Sequence, residues 1–147
     1  MTDQHTASAA LAAVPIFGRL SPQVLSSLAQ QTEEQAYAVG DVVATRGEPN
    51  DGLLVLVSGA MEVRRGDRVL KELGPGDYVG DISLIDGGPH SVDVNVTEGG
   101  MGVFLAGAQF RVVVKHQPEA AIGVMEVLVA RLRETLEWLD AADQPNN

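Results

Sequence analysis

The sequence has 147 residues, of which 45% are hydrophobic, and it contains no cysteine. A chain of this length buries about two thirds of its unfolded surface, so we expect one compact domain. Ten basic residues against twenty acidic ones give a formal net charge of −10. This charge repels polyanions at long range and argues against nucleic acid as a partner. The lack of cysteine excludes disulfides and thiolate nucleophiles.

The N-terminal part of the chain predicts a tail followed by a short helix. Residues 1–13 are rich in alanine, serine and threonine without apolar periodicity, so we expect a flexible tail there. A helix is predicted from Pro22 to about Gln31, because Ser21 is a favourable N-cap and proline suits the first helical position. The segment lacks the basic region of a signal peptide, and no apolar run reaches the roughly 18 residues of a membrane span. We therefore expect a cytoplasmic protein that does not contact membranes.

The middle of the chain, from Ala36 to Leu105, consists of short β-rich runs separated by glycines, such as "DVVATRG", "LLVLVSG" and "AMEVRRG". This spacing is typical of an antiparallel sandwich or barrel. The basic stretch from Arg64 to Arg68 fits the tip of a hairpin. The predicted fold class is therefore mainly β with flanking helices.

The C-terminal third returns to a helical pattern. A short helix is predicted from about Ala108, and a longer one from Pro118 to about Leu139. The simplest interpretation of the apolar stripe on the longer helix is a seam that faces the core; because the helix is longer than a small barrel, a dimer through its C-terminal half is the second interpretation. Residues 14–140 are the predicted domain and residues 141–147 a second flexible tail. The stripe, with spacings of three and four, consists of Ile122, Met125, Leu128, Val129, Leu132, Leu136 and Leu139.

The stretch "VGDISLIDGGPHSVDV", residues 79–94, combines glycines, carboxylates and a histidine. Gly80 and Asp81 follow a strand-like run and open a short helical stretch, an arrangement that directs free backbone N–H groups at an anion. Asp81 offers an acceptor for a hydroxyl group, and His90 and Ser91 offer donors to a phosphate. The sequence predicts a site that holds an anion and a diol together.

This stretch resembles the phosphate-binding cassette of the cyclic nucleotide-binding domain family, in particular the sensor domain of the catabolite activator type. The family pattern is Phe-Gly-Glu, an apolar stretch, a short loop and then Pro-Arg-Ser/Ala-Ala-Thr. The segments "PIFGRLSPQVLSSLA", "YAVGDVVATRGEPNDGLLVLVSGAMEV" and "HQPEAAIGVMEVLVARLRETL" are similar to its N-terminal helix, its hairpins and its hinge helix. The resemblance covers about Val14 to Leu139. It implies a β-roll or jelly-roll-like barrel of about eight antiparallel strands, with an N-terminal helix and two C-terminal hinge helices.

The cassette departs from the family pattern at its charged positions. Asp81 stands in the place of the glutamate, His90 in the place of the arginine that pairs with the cyclic phosphate, and Val92 and Asp93 replace a small residue and a threonine. The predicted binding face therefore has no permanent cation. An arginine–phosphate pair contributes roughly 1.5–3 kcal/mol, and Asp93 adds repulsion if it faces the pocket. We therefore expect an affinity weakened by a factor of about 10 to 1,000. The predicted ligand-binding residues are Val79, Gly80, Asp81, Ile82, Ser83, Pro89, His90, Ser91 and Val92.

The resemblance implies a stand-alone regulatory module of the cAMP type, with cAMP or cGMP as ligand. Its output would pass through an unidentified protein partner or a homodimer formed by the helix from Pro118 to Leu139. Family members of the catabolite activator type continue into a helix-turn-helix, but this sequence ends eight residues after Leu139, so we expect no contact with DNA. The alternative is a degenerate domain that binds no nucleotide and serves as an interaction or dimerisation scaffold. No catalytic motif appears and the three histidines lack ligand spacing, so no catalytic residue, metal or cofactor is predicted.

Overall fold

The structure, a computed structural model, describes residues 4–143. Its described part contains eight antiparallel strands, as expected, in two sheets of four. The strands are β1 (Glu33–Tyr37), β2 (Val42–Ala44), β3 (Gly52–Leu56), β4 (Ala60–Arg65), β5 (Arg68–Leu73), β6 (Tyr78–Val79), β7 (Asp93–Glu98) and β8 (Gly100–Ala106). One sheet has the order β1-β8-β3-β6 and the other the order β2-β7-β4-β5. The two sheets form the predicted β-roll, and the basic stretch lies at the β4–β5 hairpin tip.

Five α-helices and one short 3₁₀-helix accompany the sheets within residues 4–143. They are α1 (Gln4–Ala12), the 3₁₀-helix (Pro15–Phe17), α2 (Pro22–Gln30), α3 (Ser83–Asp86), α4 (Gly107–His116) and α5 (Glu119–Asp143). The Ser21 hydroxyl accepts a hydrogen bond of 3.2 Å from the backbone N–H of Val24, so the predicted start of α2 is confirmed. Helices α4 and α5 lie where the C-terminal helices were predicted.

The N-terminal segment differs from the expected tail over residues 1–13. Residues 4–12 form α1, which packs against α2 and buries Ala7 and Leu11 on one face. The Gln4 side chain also donates a hydrogen bond of 2.6 Å to the Ser26 hydroxyl. The apolar face of α1 is mostly alanine, which carries little hydrophobic contrast in a sequence pattern but has the highest helix propensity. Residues 1–3 lie outside the described part of the chain.

The hydrophobic core has two parts, on opposite faces of the sheet that contains β3. Leu53 and Val55 point toward the helices, while Leu54 and Leu56 point toward the other sheet, because successive side chains of a strand alternate between its faces. Both faces are covered, so every residue of β3 is buried. The part of the core that lies between the two sheets borders the cavity described below, since Leu73 and Val94 belong to both.

Helix α5 contacts the core through a different face from the one predicted. Ala120 and Val124 are buried and Leu128 is partly buried against the core. The predicted core-facing seam is therefore wrong for every member except Leu128: the other six side chains are between 48% and 57% exposed. Residues 120, 124 and 128 are each four residues apart, so their side chains share one face of α5, and this face packs on the core. The six exposed side chains lie on the adjacent face of the helix. These six residues, Ile122, Met125, Val129, Leu132, Leu136 and Leu139, are called the α5 stripe below.

Helix α5 also extends to Asp143, beyond its predicted end near Leu139 and into the expected tail over residues 141–147. Residues 144–147 lie outside the described part of the chain. Within residues 4–143, no helix combines the length and the apolar character needed to cross a bilayer.

Candidate ligand-binding site

A cavity of about 300 Å³ lies beside the connection between β6 and β7. Eight of the nine predicted site residues line it, namely Val79, Gly80, Asp81, Ile82, Ser83, His90, Ser91 and Val92. The ninth, Pro89, does not line the cavity; its backbone forms a bridge with Pro49 instead. The His90 backbone donates to Glu48 O and accepts from Gly47 N, each at 2.9 Å. The end of the cassette is thus fixed to the loop between β2 and β3.

Gly80 occupies a position where no other residue fits. Its φ of +93° lies in the left-handed region. A Cβ atom there would lie 2.5 Å from Gly52 O and 2.6 Å from Asn50 Nδ2. The Gly80 carbonyl accepts hydrogen bonds from Leu84 N at 3.0 Å and from Asn50 Nδ2 at 3.2 Å. The buried Asn50 side chain therefore ties the start of the cassette to β3.

The backbone that follows Gly80 leaves donors available to a ligand. Helix α3 has four residues, and the N–H groups of Asp81, Ile82 and Ser83 have no acceptor within residues 4–143. Helix α3 ends at Gly87, which has φ +68°. The Asp86 carboxylate accepts from Gly88 N at 2.8 Å, which stabilises the turn after α3.

Asp81 is paired with a cation from a distant part of the chain. Arg131 Nη1, on α5, lies 3.4 Å from Asp81 Oδ2. Burial raises the pKa of the Tyr78 hydroxyl, the nearby Asp81 carboxylate raises it further, and the nearby Arg131 guanidinium opposes this rise. These three side chains connect α5 to the mouth of the cavity.

The opposite wall of the cavity comes from β4 and β5. Val63, Lys71 and Leu73 line it, and Lys71 lies on the same face of β5 as Leu73 because side chains two residues apart share a face. Sequence reasoning missed Lys71 and Arg131 and concluded that the binding face had no permanent cation. The signal for Lys71 was its position two residues before a buried leucine in a predicted strand.

Asp93 does not line the cavity. The expected repulsion between its carboxylate and a ligand phosphate therefore does not arise. Its Oδ1 accepts a hydrogen bond of 2.8 Å from the backbone N–H of Arg46. Val92 and Val94, the residues on either side of Asp93, line the cavity instead. The carboxylate at position 93 therefore serves to hold the β2–β3 loop.

A second cavity of about 570 Å³ lies on the other side of His90 and Val79. The carboxylates in its lining are those of Glu48 and Asp51, and neither lysine nor arginine lines it. This charge is unfavourable for a phosphate. The smaller cavity, which has the free N–H groups and Lys71 in its lining, is the better site for an anion.

Comparison with known proteins agrees with this geometry. Residues 34–117 match the model of the cyclic nucleotide-binding domain family. The match covers more than half of the chain, and the chain belongs to this family.

Three similar proteins illustrate the relationship. The chain is 33% identical over 111 residues to the cyclic nucleotide-gated potassium channel mll3241 of Mesorhizobium japonicum. This aligned region covers 76% of this chain and 31% of the channel. The chain is also 28% identical over 130 residues to the CRP-like cAMP-activated global transcriptional regulator of Mycobacterium tuberculosis. That aligned region covers 85% of this chain and 58% of the regulator. The crystal structure of the N-terminal domain of a transcriptional regulator from Streptomyces coelicolor A3(2) has a TM-score of 0.80 and 26% identity, over 88% of this chain and 94% of that one.

The chain spans less than two thirds of the length of both the channel and the mycobacterial regulator. The names of these proteins describe regulation or ion conduction rather than catalysis. The family match over residues 34–117 covers nearly all of the β-roll and every residue that lines the smaller cavity.

Proposed function

We propose that this chain is a sensor module that binds a cyclic nucleotide without catalysis and passes the occupancy of its cavity to a partner. The proposal depends on one observation: in a member of the cyclic nucleotide-binding domain family, eight of the nine predicted cassette residues line one cavity. Its volume of about 300 Å³ is at the lower end of the range for ligand pockets. The mycobacterial relative is named as cAMP-activated, so cAMP is the first ligand to test.

In this proposal the cyclic phosphate lies against the free N–H groups of residues 81–83. Unpaired backbone donors stabilise a single negative charge without a side-chain cation. The Ser91 hydroxyl and the His90 ring add donors from the other end of the cassette. A ribose hydroxyl donates to the Asp81 carboxylate, which is partly buried in the cavity lining.

Ligand binding would act on α5 through Asp81. Arg131 now pairs with this carboxylate, and a hydroxyl that donates to Asp81 competes for the same oxygens. A ligand shifts a conformational equilibrium only by its differential affinity for the two states. The exchange of partners at Asp81 supplies such a difference, because it changes what holds α5 to the cassette.

Isothermal titration with cAMP and cGMP tests the proposal. We expect one site per chain, and Asp81→Ala should weaken binding about tenfold because it removes a charged acceptor. The matched control is Asp67→Ala, which removes a carboxylate from the β4–β5 hairpin tip and should leave the affinity unchanged. The absence of both heat and a thermal shift at millimolar nucleotide would contradict the sensor function.

The second candidate function is a degenerate domain that binds no nucleotide and acts as a scaffold. The observation that favours it is His90, which stands where the family has an arginine and offers a shorter side chain with fewer donors. The same titration separates the two functions, since a scaffold gives no heat with either nucleotide.

We further propose that the α5 stripe joins two copies of the chain. Its spacing alternates between three and four residues, as in the a and d positions of a coiled coil, and the β-branched Ile122 and Val129 fall at a positions, which favours two strands. Six half-exposed apolar side chains in one row are more than a monomer normally exposes to water. A second copy presents an identical row, so one symmetric contact covers both stripes.

A further inference from the structure

The larger cavity has no part in the proposed function, although its size and lining suit a ligand. Its volume of about 570 Å³ is well inside the range for small-molecule pockets. Residues of both sheets line it, and its walls are largely apolar. Val43 from β2, Leu54 from β3 and Phe104 from β8 are three of these wall residues. A ligand that fits this cavity therefore has a substantial apolar body.

The ring of Phe104 reaches the end of the cavity that carries its charges. Phe104 pairs with Leu54 in the register of β8 and β3, and both side chains pack in the part of the core between the sheets. A Cβ atom on Gly52 would lie 2.9 Å from Phe104 Cζ, so the tip of the ring lies directly beside Gly52. Asp51 precedes this glycine in the chain and also lines the cavity. An aromatic ring attracts both apolar bodies and ammonium groups.

Two carboxylates line the larger cavity without a cationic partner. Glu48 and Asp51 form no ion pair with lysine or arginine within residues 4–143, and neither of these basic residue types lines the cavity. Their backbones are fixed, because Glu48 O accepts from His90 N and Asp51 O accepts from Gly107 N, each at 2.9 Å. The formal net charge of −10 also attracts cations to the chain. The electrostatics of the cavity therefore favour a positively charged group.

A metal ion is a poor match for these carboxylates. Calcium takes about six to eight oxygen ligands, whereas the described residues contain no group of three histidine or acidic side chains that could hold a metal ion. An ammonium group has only three donors on one nitrogen, so two carboxylates and one further acceptor satisfy it. Gln35 and Thr45 in the lining offer such acceptors through their side-chain oxygens. The charge, the acceptors and the aromatic wall together fit an ammonium group on an aromatic body.

We propose that the larger cavity binds an arylalkylamine, which is a primary ammonium group joined to an aromatic body. The ammonium group donates to the carboxylates of Glu48 and Asp51, and the aromatic body packs against Phe104 and the aliphatic wall. This site is separate from the nucleotide site of the proposed function and does not require a bound nucleotide. His90 and Val79 line both cavities, so the amine in the larger cavity contacts a wall that the two sites share.

Three indole compounds of similar size and different charge test this assignment on the full chain: the cation tryptamine, the neutral tryptophol and the anion indole-3-propionate. Nuclear magnetic resonance titration of the isotope-labelled chain measures each affinity and locates the binding. Tryptamine should shift the backbone amide signals of Thr45, Gly52 and Phe104 and should bind at least about fivefold more tightly than tryptophol. Indole-3-propionate should bind more weakly than tryptophol. The double variant Glu48→Gln with Asp51→Asn keeps the side-chain sizes but removes both charges, so it should bind tryptamine and tryptophol equally.

Asp67→Asn is the matched control, because it removes the charge of a carboxylate that lines neither cavity. It should leave all three affinities unchanged. Signals that shift only at residues of the smaller cavity, such as Ile82 and Ser91, would place the amine there and overturn the assignment. Equal affinity of the unmodified chain for tryptamine and tryptophol, a double variant that keeps the preference, or no saturable shift at millimolar tryptamine would also overturn it. The sensor function is tested separately, by the titration with cAMP and cGMP.

Discussion

His90 lies between the two cavities and contributes to the lining of both. Its backbone is fixed by two hydrogen bonds to the β2–β3 loop, so a substitution changes the side chain while the cassette stays in place. We predict that His90→Arg tightens cAMP binding about tenfold, because a permanent guanidinium forms a charge-assisted pair with the phosphate. Isothermal titration measures the change.

The control for this substitution is His116→Arg on the exposed face of α4, which should leave the affinity unchanged. If His90→Arg binds cAMP no more tightly than the unmodified chain does, the side chain at position 90 does not contact the phosphate.

At the residue scale, the sequence predicted the part of the site that is contiguous. Gly80, Asp81 and Ser91 come from one loop, and a local pattern is enough to place them together. Lys71 and Arg131 reach the site from β5 and α5, and their positions depend on strand register and on the docking of a helix 50 residues away from Asp81. No local pattern contains that information, so the sequence reasoning took the cavity to lack a cation.

At the scale of elements, α1 is the part of the fold that departs most from expectation, and Leu11 is its anchor. Leu11 is completely buried between α1 and the core. We predict that Leu11→Ala lowers the free energy of unfolding by about 2–5 kcal/mol, the range for leucine truncation in a packed core. Urea denaturation followed by circular dichroism measures this change.

Ala12→Ser is the matched control, because residue 12 is exposed on the same helix. It should change the free energy of unfolding by less than about 0.5 kcal/mol. If Leu11→Ala changes stability as little as the control, α1 does not dock and the segment behaves as the flexible tail that its composition indicates.

The strands were predictable from sequence for a reason that does not apply to α1. Glycines at the turns, including Gly47, Gly59 and Gly66 with positive φ, separate the β-rich runs, and that punctuation is visible without tertiary structure. The docking face of α5 was not predictable in this way. Its stripe of large apolar residues is the more hydrophobic face, yet the smaller Ala120 and Val124 make the core contact, since close approach to the 3₁₀-helix and α4 favours small side chains there.

At the scale of the whole molecule, the proposed pairing of two chains depends on the α5 stripe. In a symmetric dimer Leu132 lies at a d position in the middle of the seam, where each copy would bury it against the other. We predict that the unmodified chain dimerises and that Leu132→Glu weakens the dimer at least about tenfold, because it places two carboxylates in an apolar contact. Since Leu132 is 57% exposed in the single chain, the substitution should leave the β-roll folded.

Sedimentation velocity over a range of protein concentrations measures the dimerisation, and circular dichroism verifies the fold. Ala141→Glu is the matched control: it adds the same charge to α5 at a heptad position opposite the seam, and it should dimerise as the unmodified chain does. A monomer at every concentration, or a Leu132→Glu variant that still dimerises, would contradict the seam. Arg131 adjoins Leu132 and pairs with Asp81 at the cavity, so a ligand that releases Arg131 would also act on the helix of the proposed dimer. Linkage then requires reciprocity: if occupancy of both sites by cAMP strengthens the dimer, the two affinities of the dimer together must exceed those of two Leu132→Glu monomers by the same factor.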